Sequence, residues 1–382
     1  MKLKTFGKIV LSTTLVAASI SNAVACTVLS IRDAKGNVYQ GRTNEFAGEL
    51  PDRLTYWPAG TPMESVTPTG AQGKTFTTKY AILGVTLKGI TANAKQDTVH
   101  EAVNDQGMSF TTNAYTSNNP PVVNATPDKV LSVMDVGAWA LGNFQNVAQV
   151  KQALENQEVA IWLPKLPSLG NLPAPIHFAL YDKTGGAIVI EFTDGKTNVY
   201  DNPVAVMTNS PPFPWQLQNM DNYAYLTNVD KNTGKFNNLQ VTSIDSGDNT
   251  AGLPGIETSA GRFVKAAYYS NFAYKAKTPD QALITLSHVM NNFDRPKKIS
   301  IDLPGTASKA EAFAAKRVTS EDTYFTVMND LSRNQYFIRT INSINFTKFD
   351  LHKLAALKST KVVTFDVLNA NTNLDGADLF LK

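Results

Sequence analysis

Cys26 is the only cysteine among the 382 residues, and it directly follows Ala23-Val24-Ala25, a stretch of small residues. If the chain is cut after Ala25, Cys26 becomes the N-terminal residue and carries a thiol and a primary amine together. A free α-amino group has an ordinary pKa of about 7.7–8.0, so it can accept the thiol proton without a histidine. Cys26 would then be an N-terminal nucleophile.

Two other interpretations of Cys26 stay open from the residues alone. A single cysteine can be a small buried hydrophobic residue. Bacterial lipoproteins are also cut in front of a cysteine, and lipidation would block both the thiol and the amine. Ala23-Val24-Ala25-Cys26 matches that signal weakly, because the usual leucine at the first of these positions is absent. We rank the nucleophile above an exported lipoprotein or binding module that is acylated at Cys26 and has no catalytic activity.

The histidines argue against a papain-like cysteine peptidase, which needs an imidazole base beside its thiol. None of them lies in a recognisable motif of that class, and His177, inside an apolar run, is expected to be a hydrogen-bonded strand residue. They are also dispersed, and the sequence has no phosphate-binding glycine loop or dinucleotide fingerprint. We therefore expect no metal and no cofactor. The histidines are His100, His177, His288 and His352.

Residues 1–25 are predicted to be a secretory signal peptide. Lys2, Lys4 and Lys8 all precede an apolar run, Ile9–Ile20, which is too short for a membrane anchor and is followed by small residues. The formal net charge is +3, so removing these lysines leaves a neutral chain, a poor partner for nucleic acid or an anionic membrane. We expect export to the periplasm or the exterior, without a stable membrane anchor.

The rest of the chain, residues 26–382, is predicted to form one domain. Hydrophobic residues make up 43% of the sequence, enough for a sizeable core, and no repeat or linker divides it. Alternating residues predict a strand at Cys26–Arg32, a turn, and a second strand at Val38–Arg42. Two antiparallel strands of equal length would bring Arg42 back beside Cys26.

Later segments group strands with strands and helices with helices, which favours stacked antiparallel sheets covered by helical layers. The predicted strands are Ala81–Leu87, Met108–Ala114, Ile176–Asp182, Ala187–Phe192, Val204–Thr208, Asp322–Asn329 and Gln335–Thr340. The predicted helices are Lys129–Phe144, Val147–Leu154, Phe213–Tyr225, Ser259–Tyr269 and Asp280–Asn292.

Five segments in register resemble the choloylglycine hydrolase family, which includes bile salt hydrolases and penicillin V acylases and belongs to the N-terminal nucleophile hydrolases. They cover nearly all of the chain after Ala25. The segments are Cys26-Thr27 with Gly41–Phe46, Glu101–Gly107 with Thr112-Asn113, Met207–Pro211, Leu253–Gly255 with Ser259–Val264, and the last pair of strands through Arg339.

The resemblance implies an α+β fold, the four-layer αββα sandwich, and hydrolysis of linear amide C–N bonds. By the same resemblance Cys26 matches the nucleophile, and Arg42 and Arg262 match the two active-site arginines. Asn209 matches the asparagine that helps to form the oxyanion site. Asn113 stands where bile salt hydrolases have asparagine and penicillin acylases commonly have tyrosine.

Glu45 stands where the family usually has an aspartate that contacts the α-amino group. We expect it to pair with an arginine and to accept a hydrogen bond from the new amine, although a surface salt bridge is an equal alternative. The implied partner is a small N-acyl amide: a conjugated bile salt, penicillin V or an N-acyl homoserine lactone. A homo-oligomer, commonly a tetramer in this family, is also implied.

Overall fold

The computed structural model describes residues 24–46, 50–91, 93–116, 119–167, 171–304, 318–369 and 376–381. The predicted signal peptide therefore lies outside the described residues, except for Val24 and Ala25, which continue the first strand. The extent of the predicted domain, residues 26–382, stays a prediction.

Twenty-four strands lie within these ranges. The first twelve are β1 (Val24–Arg32), β2 (Val38–Phe46), β3 (Asp52–Trp57), β4 (Pro62–Val66), β5 (Gln72–Thr77), β6 (Ile82–Leu87), β7 (Thr98–Asn104), β8 (Met108–Ala114), β9 (Val130–Ser132), β10 (Ala160–Trp162), β11 (Lys165–Leu166) and β12 (Leu172–Pro173). The others are β13 (Ile176–Asp182), β14 (Ala187–Thr193), β15 (Lys196–Asp201), β16 (Val206–Met207), β17 (Thr233–Phe236), β18 (Leu239–Thr242), β19 (Ile301–Asp302), β20 (Thr319–Ser320), β21 (Asp322–Asp330), β22 (Gln335–Thr340), β23 (Thr347–Asp350) and β24 (Lys361–Thr364).

The same ranges contain eight α-helices. They are α1 (Val136–Asn143), α2 (Val147–Glu155), α3 (Phe213–Asn219), α4 (Ser259–Phe272), α5 (Pro279–Asn291), α6 (Leu351–Leu354), α7 (Phe365–Asn369) and α8 (Ala377–Leu381).

Two antiparallel sheets form the middle of the molecule. One has the order β16-β1-β2-β21-β22-β23, and the other has the order β15-β14-β13-β8-β7-β6-β3-β24. Helices α4 and α5 pack on β1 and β2 of the six-stranded sheet, whereas α1 packs on β7 and β8 of the eight-stranded sheet. The layers run helix, sheet, sheet, helix, so the predicted αββα sandwich is confirmed.

The central strands are covered on both faces, by the opposite sheet and by helices, so they lack the alternation of buried and exposed residues. Every residue of β2 is buried, including its polar side chains. One apolar cluster joins the two sheets to α4 and α5, and a second lies between the eight-stranded sheet and α1 and α2. All side chains of a strand in such a position are buried. The polar residues within it therefore need hydrogen-bond partners inside the protein.

Three predicted elements are substantially shorter in the structure. The helix predicted at Phe213–Tyr225 is α-helical only over Phe213–Asn219 and is followed by a 3₁₀ turn. The helix predicted at Lys129–Phe144 spans only Val136–Asn143, because Val130–Ser132 pairs as a strand with β10. Residues 130–142 are all buried, so their apolar spacing does not separate helix from strand. The strand predicted at Val204–Thr208 is limited to Val206–Met207, the two residues that pair with β1.

Gly84→Ala is expected to lower the free energy of unfolding by roughly 1–3 kcal/mol. A Cβ at Gly84 would overlap the carbonyl oxygen of Glu101 and the Cα of Ala102 on neighbouring β7, and backbone atoms cannot move aside cheaply. Urea denaturation measures the change. Gly255→Ala is the matched control, because its Cβ would meet nothing within 4 Å. Equal stabilities of the two variants would contradict this packing.

Candidate active site

The hairpin of β1 and β2 sets the position of Cys26. In its register Cys26 lies opposite Asn44, and Val28 lies opposite Arg42. Residues two apart on a strand share a face, so Arg42 lies diagonally from Cys26 on the same side. Gly41, just before Arg42, faces helix α5, where a Cβ would overlap the end of the Met290 side chain.

The thiol of Cys26 is fully buried and has two polar neighbours. The Sγ atom lies 3.4 Å from Asn44 Oδ1, and Arg42 Nη2 points to it at 3.6 Å. Burial raises the pKa of the thiol, with Arg42 as the largest opposing influence, while the Glu45 carboxylate raises it further. Asn44 was missed in the sequence analysis, although its place directly across the hairpin was a usable signal.

The guanidinium of Arg42 crosses from the six-stranded sheet to the eight-stranded sheet. Its Nη2 donates to the carbonyl oxygen of Thr112 at 2.7 Å and to Asn44 Oδ1 at 2.9 Å. The same nitrogen lies 3.2 Å from His100 Nε2, and Nε lies 3.9 Å from Glu101 Oε2. Arg42 therefore connects the thiol to the strands of the opposite sheet.

Asn209, just after β16, holds the backbone nitrogen of Cys26. Its Oδ1 accepts from the Cys26 N–H at 2.8 Å, and its Nδ2 donates to the carbonyl oxygen of Ala114 at 2.9 Å. The side chain of Ser259, at the start of α4, accepts from the Asn209 N–H at 3.0 Å. The amide of Asn209 is thus fixed between β1, β8 and α4.

Arg262 reaches the same point from helix α4. Its Nη1 donates to the Cys26 carbonyl oxygen at 2.6 Å, and its Nη2 donates to Asn209 Oδ1 at 2.8 Å. The preceding Gly261 is required here, because a Cβ would overlap the backbone and side chain of Ile256. Arg262 therefore orients the backbone of Cys26, and its effect on the pKa of the thiol is smaller than that of Arg42.

Asn113 and His177 both hold the carbonyl oxygen of Thr208. Asn113 Nδ2 donates to it at 2.8 Å, and His177 Nε2 lies 3.0 Å from it. His177 Nδ1 lies 3.1 Å from Glu191 Oε1, and the ring stacks on Tyr115. The expectation that His177 is a hydrogen-bonded strand residue is confirmed, and the contact supports the loop that carries Asn209.

Glu45 is buried directly across from Ala25 in the hairpin register. Its Oε1 accepts from Thr323 Oγ1 at 3.2 Å, and among the described residues Oε2 has no hydrogen-bond partner. Burial raises the pKa of this carboxyl, opposed mainly by the charge of Arg262. The expectation that Glu45 pairs with an arginine was wrong: within the described ranges no arginine nitrogen lies within 4.0 Å of it.

The described residues contain no group of three or more histidine, cysteine, aspartate or glutamate side chains that could hold a metal. In the same part of the chain, no helix is long and apolar enough to cross a membrane.

A profile of the linear amide C–N hydrolases, choloylglycine hydrolase family, matches residues 26–365, so the match begins at Cys26. The chain belongs to this family. It is 28% identical over 309 residues to a bile salt hydrolase/transferase of Clostridium perfringens, covering 78% of this chain and 86% of that protein. It is 25% identical over 364 residues to a penicillin V acylase of Pectobacterium atrosepticum, covering 89% of this chain and 85% of that protein.

A solved structure supports the fold. The crystal structure of a variant conjugated bile acid hydrolase from Clostridium perfringens superposes with a TM-score of 0.70 at 24% identity, covering 90% of this chain and 97% of that one. The chain is therefore an amidohydrolase of the choloylglycine hydrolase type with the N-terminal nucleophile hydrolase fold, and the family acts on small-molecule amides.

Glu101 is a further ionisable group of this site, and sequence analysis did not assign it a role. It is fully buried on β7, accepts from Thr111 Oγ1, and has Arg42 as its ion-pair partner. Burial raises its pKa to about 7, with Arg42 as the largest opposing influence.

Glu101→Gln is expected to change how stability depends on pH. The folded-state pKa, about 7, lies above the ordinary value of 4.5, so the native protein becomes less stable as Glu101 ionises between these values. Glutamine does not titrate. Between pH 4.5 and 8, the free energy of unfolding of the variant should therefore rise by roughly 3 kcal/mol relative to that of the wild type.

Chemical denaturation at a series of pH values measures this gain. Glu158→Gln, at an exposed position, is the control and should follow the wild-type curve. Parallel curves for Glu101→Gln and the wild type would contradict the prediction.

Proposed function

We propose that this chain hydrolyses N-acyl amides with Cys26 as an N-terminal nucleophile, after removal of residues 1–25 and export to the periplasm or the exterior. The observation that carries the proposal is the placement of Cys26. Its thiol lies beside Arg42, its carbonyl oxygen is held by Arg262, and its nitrogen is held by Asn209. These contacts fix the thiol, the nitrogen and the carbonyl group of one residue.

The proposed reaction begins with proton transfer from the thiol to the freed α-amino group. The thiolate attacks the amide carbonyl carbon, and the oxyanion is stabilised by Asn209 and a backbone N–H near Asn113. Preplaced donors of this kind contribute about 2.7–4 kcal/mol each. The C–N bond breaks, the amine leaves with the proton, and water then hydrolyses the thioester to release the acid.

Glu45 has a defined place in this proposal. While Ala25 is attached, Cys26 N is a peptide nitrogen, which cannot act as a base. Glu45 lies across from Ala25, and its Oε2 has no partner among the described residues. Removal of Ala25 would create an ammonium group next to this carboxylate, whose negative charge favours the protonated amine.

The substrate class is an amide with an apolar acyl half. The similarity to a bile salt hydrolase and to a penicillin V acylase supports conjugated bile salts and penicillin V as candidates, and N-acyl homoserine lactones share the same bond. Asn113 favours the bile salt type. Purified protein should be assayed on all three classes, with release of the free amine as the readout.

Cys26→Ala is expected to abolish turnover of whichever amide the wild type cleaves, because the only thiol is lost. The fold should remain, which circular dichroism checks. Cys26→Ser, which keeps the amine but is a poorer nucleophile, should retain weak activity. Full activity of the alanine variant would exclude covalent catalysis by the thiol.

The active protein is expected to have Cys26 as its N-terminal residue. Intact mass of active protein should correspond to a chain that starts at unmodified Cys26, because only then is the amine free. A variant with one residue retained before Cys26 should be inactive. A mass that includes acyl chains would indicate the lipoprotein instead, and activity of the extended variant would indicate a base other than the amine.

A further inference from the structure

A bulge in strand β7 turns two consecutive side chains toward Arg42. The pairing of β6 with β7 steps from Val85 opposite Glu101 to Thr86 opposite Val99, so His100 is an extra residue on β7. A bulge of this kind redirects side chains that would otherwise alternate between the two faces. His100 and Glu101 consequently both contact the same guanidinium, at Nη2 and Nε respectively.

The hydrogen-bonding state of His100 follows from its neighbours. His100 Nδ1 lies 3.2 Å from Asp52 Oδ1 at the start of β3. A guanidinium nitrogen can only donate, so Nε2 presents its lone pair to Arg42, and Nδ1 carries the hydrogen that faces Asp52. That lone pair faces Arg42 Nη2 at 3.2 Å and shares the two hydrogens of this nitrogen with the Thr112 carbonyl oxygen and Asn44 Oδ1. Burial, and then the charge of Arg42, lower the pKa of the ring, which agrees with a neutral imidazole.

We propose that His100, oriented by Asp52, is a positioning residue that holds Arg42 Nη2 toward the sulfur of Cys26. Nη2 is the only atom of Arg42 with a contact to Sγ among the described residues, and it is also the atom that His100 binds. Phe325 limits the remaining freedom, because its ring lies 5.2 Å from Arg42 Cζ and 5.6 Å from the His100 ring. His100 does not contact the thiol itself.

This inference rests on the proposed function in one respect: the sulfur that Arg42 faces is the proposed nucleophile. The physical consequence concerns the thiolate. A guanidinium held close to sulfur favours the ionised form, whereas one that turns toward Glu101 favours it less. Loss of the acceptor at position 100 should therefore raise the pKa of the Cys26 thiol and slow the chemical step more than substrate binding.

The test compares His100→Ala with His100→Gln in purified protein. Glutamine can place an oxygen acceptor near the position of Nε2, whereas alanine cannot. The alanine variant should show about a tenfold lower kcat with KM changed less than threefold, and its alkylation by iodoacetamide should require higher pH. The glutamine variant should recover kcat to within about threefold of the wild type.

Asp52→Ala is a second variant that leaves both His100 and Arg42 in place. It should shift the pH profile of alkylation in the same direction as His100→Ala, which keeps the test decisive if the latter does not fold. An unshifted profile in the folded variants would overturn the proposal. So would a glutamine variant as impaired as the alanine variant, because the imidazole would then act in another way than as an acceptor.

The alkylation experiment tests the role of His100 independently of the proposed amidase activity. Cys26 is the only thiol of the chain, so alkylation of the protein reports on Cys26 alone. The measurement needs no substrate turnover. If Cys26→Ala kept full amidase activity, the proposed function would fail, and the alkylation profiles would still decide the role of His100.

Discussion

The Arg42 guanidinium spans the space between the two sheets, and the active site is arranged around that buried charge. Burying an unpaired charge in an apolar core is costly, so its neighbours must supply acceptors. At Nη2 these are Asn44 on the same strand, the Thr112 carbonyl oxygen on β8 and His100 on β7, while the Glu101 carboxylate faces Nε at 3.9 Å. These four groups therefore compensate the buried charge of Arg42.

Arg42 and Arg262 contact different atoms of Cys26. Arg42 approaches the sulfur from the side of the opposite sheet, while Arg262 approaches the carbonyl oxygen from the helical layer. Asn209 links Cys26 to Arg262, because its amide oxygen accepts from both Cys26 N and Arg262 Nη2. Because burial has the largest effect on the pKa of the thiol and raises it, nearby positive charge is necessary for the thiolate to form.

A second set of contacts keeps these groups in place. The loop that carries Asn209 is bound on one side by Asn113 and His177, through the Thr208 carbonyl oxygen, and on the other by Ser259. Asn113 and His177 come from the eight-stranded sheet, Ser259 comes from α4, and the loop itself follows β16 of the six-stranded sheet. Both sheets and a helix must therefore be in register before the site exists. The site is in this sense a product of the whole sandwich.

Much of the outcome could be predicted from local pattern. The strands at Met108–Ala114 and Ile176–Asp182 followed from periodicity and turn residues, because those signals are local. The helix predicted at Val147–Leu154 ends one residue later, at Glu155. The prediction failed at Lys129–Phe144, where burial on all sides removes the periodic signal. The hairpin alone brought Arg42 near Cys26, since strand register is set by adjacent residues.

The sequence by itself determined the nature of the nucleophile candidate, the layered class of the fold and the residues that resemble the family's site. Only the tertiary structure decided which of them touch. It separated Glu45 from the arginines, assigned Arg262 to the backbone of Cys26, and brought His100, Asp52 and Glu101 to Arg42. The reason is distance along the chain: these contacts join residues from different strands of two sheets, and no local pattern encodes how two sheets are stacked.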